Sequence, residues 1–75
     1  MIRIDAAIAA ARAQGRRVLK KDIAARLWPD STPEAQKVNM HALCTGETRR
    51  IDPAWVREIC LLTGCTADYL LGLSD

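Results

Sequence analysis

The stretch "KVNMHALC" carries two hydrogen-bond donors, Lys37 and His41, and two small apolar side chains, Val38 and Ala42. Residues three or four apart on a helix share a face, which sets Lys37 beside His41 and Val38 beside Ala42. A lysine can donate to guanine O6 or N7, a histidine to an acceptor, and a small apolar group can meet a thymine methyl. Ala42 is also small enough to let a helix approach a surface closely. Arg49 and Arg50 come shortly after Gly46, and arginines on such a loop can hold phosphates and fix a helix in register. Lys20 and Lys21 stand at the expected start of another helix, a positive end suited to a further phosphate. The chemistry these residues suit is contact with duplex DNA through its major groove.

Other chemistries fit less well. His41, Cys44, Cys60 and Cys65 invite a zinc reading, with His41 and Cys44 three apart on one helix and Cys60 and Cys65 astride a helix end. Zinc-binding cysteine pairs usually enclose two residues, and the second pair here encloses four. Free cysteines packed as small hydrophobes are the commoner use in helical cores, so no metal is expected. The odd cysteine count argues against a disulfide framework. The single histidine has no evident Ser or Cys nucleophile arrangement, and no paired carboxylates or phosphate-cradling glycine loop occur. Neither enzymatic activity nor a cofactor is expected. Trp28 and Trp55 read as core or interface anchors, because no basic residues interleave with aromatics as in single-strand binders.

The elements that must position these residues are helices. Ile4, Ile8 and Ala11 recur at helical spacing before Gly15, and "LKKDIAARLW" puts Val18, Ile23, Ala24 and Leu27 on one side before Pro29. Thr32 as N-cap, Pro33 at the first helical position and Glu34 at the positive end open a third helix that stops at Gly46. Asp52 and Pro53 open a fourth, with Ile51 facing Val56 as a staple, and Gly64 closes it. A short fifth runs from Thr66 to Gly72, stapled by Cys65 and Leu70. No stretch alternates as a strand needs. On the third helix, with Leu43 central to the buried side, Met40 lies about 60° away and Gln36 and Asn39 flank it within about 40°. Lys37, Val38, His41 and Thr45 then face outward, with Glu34 near the start and Ala42 at the border. That strip is neither a solvating charge mixture nor an apolar seam.

At 75 residues the chain has room for one domain. The net charge is only +2, but Arg12, Arg16, Arg17, Lys20 and Lys21 fall in a segment without an acid, which can make a positive face. The longest uncharged stretches are far short of the ~20 apolar residues of a membrane span. The N-terminus has Asp5 early and no long apolar run, so no secretory signal is expected. A cytoplasmic protein is the expectation.

The succession "KKDIAARLW", turn, "VNMHALCTG", basic loop, "AWVREICLLTGC" and "TADYLLGL" resembles the Cro/lambda-repressor-like (XRE-type) helix-turn-helix domain, from about Leu19 to Leu73. The close "DYLLGL" and the Met-x-x-Leu-x-x-Gly pattern of Met40, Leu43 and Gly46 carry most of the likeness. The resemblance implies an all-α, compact five-helix bundle whose third helix enters the major groove. It implies base reading by Lys37, Val38, His41 and Ala42, with Asn39 nearer the backbone, a position given by the resemblance alone. Phosphate contacts are implied near Lys20 and on Thr48, Arg49 and Arg50. The C-terminal region, with Tyr69, Leu71 and Leu73, is where such domains often dimerise, matching a two-fold operator. One departure stands out: "WPDSTPEAQ" lengthens the turn between helices two and three. The extension could add contacts from Glu34 or Gln36, or obstruct docking. The expected function is a sequence-specific DNA-binding transcriptional regulator of phage or mobile-element type, without a small-molecule ligand. The rival is a protein-interaction or dimerisation module on the same scaffold.

Overall fold

Prolines that open helices and glycines that close them divide the chain. The computed structural model describes residues 2–73, and among them every regular element is an α-helix: α1 (Ile4–Ala13), α2 (Lys20–Leu27), α3 (Pro33–Thr45), α4 (Pro53–Thr63) and α5 (Ala67–Leu71). Three of the N-termini are capped as the residue types dictate. Thr32 Oγ1 accepts from the Ala35 N–H at 3.2 Å, Asp52 Oδ1 from Ala54 at 2.9 Å, and Thr66 Oγ1 from Tyr69 at 3.1 Å. Each such cap is worth about 1 kcal/mol, because it satisfies a donor that the helix cannot satisfy internally.

α2 starts differently. It begins at Lys20, so Val18 reaches the core from the loop before the helix rather than from its face. Leu19 has no side-chain acceptor, and Asp22 serves instead: its Oδ2 accepts the Leu19 N–H at 3.2 Å. At its other end α2 stops at Leu27, because Pro29 excludes Trp28 from helical geometry.

Ile4, Ile23, Leu43, Ile59 and Leu70, from all five helices, are the large side chains fully removed from water. Burial of a side chain of this size contributes roughly 1.5–3 kcal/mol. α1 packs on α4 and α5, α4 also on α5, and α2 lies between α4 and α3. The α3 helix docks chiefly on α2, which leaves one of its sides open. Two links hold α2 to α4. Arg26 Nε donates to Glu58 Oε2 at 3.1 Å, and the Trp28 and Trp55 rings meet edge to face with centroids 5.5 Å apart. The Arg3 N–H donates to the Leu70 carbonyl at 2.7 Å, which ties the start of α1 to α5. No helix among the described residues is long and apolar enough to cross a membrane.

Candidate nucleic-acid interface

α3 presents two unlike sides. Met40 and Leu43 are buried, and Gln36, Asn39, Ala42 and Cys44 are half-buried along the boundary. Glu34, Lys37, Val38, His41 and Thr45 are exposed, with Val38 at 68%. The face assignment from a 100° turn per residue therefore matches the burial along this helix. An exposed valine flanked by a lysine and a histidine is a poor solvating surface and a good one for meeting a partner with apolar and acceptor groups.

The turn before α3 is locked from inside. Gln36 Nε2 donates to the Trp28 carbonyl at 2.9 Å and to the Ser31 carbonyl at 3.2 Å, and the Ser31 N–H donates to the Trp28 carbonyl at 3.1 Å. Gln36 is thus occupied in holding the turn, which spans only residues 28–32 because residues 33–36 form the first turn of α3. Of the two side chains expected to extend the contact surface only Glu34 is exposed. The physical reason is that the turn exposes carbonyls that need donors, and Gln36 lies on the side of α3 facing them. At the other end Gly46 adopts φ 84°, a left-handed conformation in which a side chain would be strained. The chain then doubles back, and the Thr48 N–H donates to the Ala42 carbonyl at 3.1 Å. This fixes the origin of the segment carrying Arg49 and Arg50, both exposed. Arg49 lines a shallow hollow of about 340 Å³ with Thr48, Ile51 and Leu71.

Between α2 and α3 runs a groove of about 480 Å³, floored by Ala24 and Met40 and rimmed by Lys20, Lys21, Lys37 and His41. The lysines of α2 and the donors of α3 therefore border one concavity, which the sequence alone did not bring together. Lys20 is engaged: its Nζ lies 2.8 Å from Asp5 Oδ1, and that hydrogen bond raises its pKa from the ordinary lysine value against the opposing effect of desolvation. Among the described residues, Lys21, Lys37, Arg49 and Arg50 form no ion pair, the two pairs being Asp5–Lys20 and Glu58–Arg26. Of the earlier basic segment, Arg12, Arg16 and Arg17 gather around Gly15, and Arg16 reaches the Leu62 carbonyl at the end of α4 at 3.5 Å. Arg16 thus meets the end of α4, whose terminal carbonyls favour a cation.

The C-terminal residues divide in the same way. Tyr69 and Leu71 are half-buried against the core, whereas Leu73, one residue beyond the glycine that ends α5, is 73% exposed. No three of the described His, Cys, Asp and Glu side chains converge to hold a metal ion. No protein-family model, no curated protein and no solved structure matches this chain.

Proposed function

We propose that the protein is a sequence-specific duplex-DNA-binding regulator of transcription, with α3 laid in the major groove. The observation that supports it best is the outward strip of α3. Lys37, Val38 and His41 stand exposed and free of acidic partners among the described residues, on a helix braced from behind by Met40 and Leu43. Lys37 and His41 donate to base acceptors, Val38 and Ala42 meet thymine methyls, and Asn39 works nearer the backbone. Lys21, Arg49 and Arg50 neutralise phosphates and set the register, helped by the Thr48 turn, with Lys20 joining them when it exchanges Asp5 for a phosphate. The likeness in element order to the Cro/lambda-repressor-like helix-turn-helix domain points the same way. A regulator of this kind works in the cytoplasm beside the DNA it reads.

Exposure of Leu73 and Leu61, at 73% and 59%, favours a protein contact in addition. A second copy meeting at Leu73, with Tyr69 and Leu71 behind it, gives a two-fold dimer suited to a palindromic operator. Selection from a random duplex library with the purified protein tests the reading. Enrichment of a defined site, palindromic for a dimer, supports it; absence of enrichment together with no duplex affinity at low salt overturns it in favour of an interaction module. The triple charge reversal Lys37→Glu, Arg49→Glu, Arg50→Glu separates the two further, since it abolishes DNA binding and leaves self-association in place.

A further inference from the structure

Two thiols meet where α4 ends. Gly64 closes that helix at φ 78°, and its N–H donates to the Cys60 carbonyl at 2.7 Å. A left-handed glycine cap folds the residue after the glycine back towards the residue four before it, and those two positions commonly hold apolar side chains in contact. Here both are cysteines, and Cys60 Sγ lies 3.9 Å from Cys65 Sγ. The buried Thr63 hydroxyl steadies the turn, donating to the Ile59 carbonyl at 2.8 Å and lying 3.1 Å from Cys65 Sγ. Cys65 also borders an open hollow of about 540 Å³ with Gln14, Arg16 and Tyr69, which gives a small solute a route to it.

We propose that Cys60 and Cys65 are a redox modification site that closes to an intrachain disulfide when the reduced chain meets a peroxide. Cys65, at the hollow, attacks one peroxide oxygen as its thiolate; the O–O bond breaks, hydroxide leaves and takes a proton as water, and a sulfenic acid remains. Cys60 sulfur then attacks Cys65 sulfur, the S–O bond breaks, and a second water departs with the Cys60 proton. The two thiols together lose two electrons and two protons, and the peroxide is reduced to two waters. Closing from 3.9 Å to the ~2.0 Å of a disulfide asks for side-chain rotation and a small settling of the turn. Burial, reinforced by neighbouring Cys65, pushes the Cys60 thiol up to about 11. Cys60 therefore stays protonated while Cys65, at the hollow, takes the first step, and closure quickens as pH rises and the Cys60 thiolate becomes available. Cys44, whose Sγ lies 3.7 Å from Met40 Sδ, is an internal control.

The test uses the full chain, reduced, exposed to hydrogen peroxide, alkylated after denaturation and cut with trypsin. Cleavage after Arg57 leaves fragment 58–75 with Cys60 and Cys65, and cleavage after Lys37 and Arg49 leaves fragment 38–49 with Cys44. The expected result is a 58–75 fragment lacking two hydrogens and both alkyl groups, restored by dithiothreitol, with Cys44 still alkylated. Helical circular dichroism stays unchanged and the thermal midpoint rises, because the unfolded chain is constrained. In Cys60→Ser the sulfenic acid persists at Cys65 and is trapped by dimedone; failure to trap it there overturns the order of attack. Alkylation of both thiols after peroxide, bridging through Cys44, or loss of helix on closure overturns the site.

Discussion

On the proposed duplex-binding reading, Lys37 and His41 meet base edges and Arg50 meets a phosphate, and substitution separates those roles. Lys37→Ala and His41→Ala are expected to flatten base preference, by about 1–3 kcal/mol of discrimination at the bases each one meets. Arg50→Ala weakens all duplexes alike. Competitive binding to the selected site and to scrambled duplex distinguishes the outcomes, and unchanged preference in both α3 variants removes that helix as the reader. Cys60 carries a separate consequence. Its thiol is raised from an ordinary value of 9.0 to about 11, so the fold favours the protonated form. The stability this contributes is complete below about pH 9 and is lost as pH climbs through about 11. Denaturant titrations across that window are expected to show a decline that Cys60→Ala reduces. The exposure of Lys37, Val38 and His41 was legible from counting turns of a helix, because one strong anchor at Leu43 fixes every other azimuth. The engagement of Lys20 by Asp5 was not, since it depends on how the starts of α1 and α2 meet in space.

At the level of the element, α3 depends on its entry and its rear face. Thr32→Ala removes the acceptor for the Ala35 N–H and is expected to lower stability by about 1 kcal/mol. Gln36→Ala takes the amide donor away from the Trp28 and Ser31 carbonyls, a loss of roughly 1–2 kcal/mol in thermal or urea unfolding. The same variant is expected to weaken duplex binding without changing the selected sequence, because the Gln36 amide is committed to the Trp28 and Ser31 carbonyls and so orients the helix. A changed sequence in repeat selection would put Gln36 in the groove after all. Leu43→Ala, at 1% exposure, is the severe case, roughly 2–5 kcal/mol, and is expected to leave little folded protein. Helix starts were legible because Thr32, Asp52 and Thr66 with Pro33 and Pro53 are local signals. The α2 start was less so, because Leu19 offers no cap and the work falls to Asp22 from within the helix.

For the whole molecule, a net charge of +2 gives weak attraction to DNA at a distance, so the proposed duplex binding rests on local cations. Each phosphate neutralised by Lys21, Arg49 or Arg50 is expected to add about −0.9 to the slope of log affinity against log salt. Removing Arg49 should lower that slope by about one unit in a salt titration, and an unaltered slope would place it away from the backbone. The groove joining Lys21 to Lys37 and His41 belongs to this scale, as does the meeting of Cys60 and Cys65, for each arises from packing or a turn that periodicity does not encode. The indole pair of Trp28 and Trp55 has a practical consequence. The chain has one tyrosine and no phenylalanine, so these rings, 5.5 Å apart at 64°, dominate its near-ultraviolet absorption and emission. One indole belongs to the residue whose carbonyl anchors Gln36, and the other rides on α4. Their exciton coupling is therefore an intrinsic spectroscopic gauge of whether α2 and α4 stay closed beneath the turn that leads into α3, readable in solution without any attached dye.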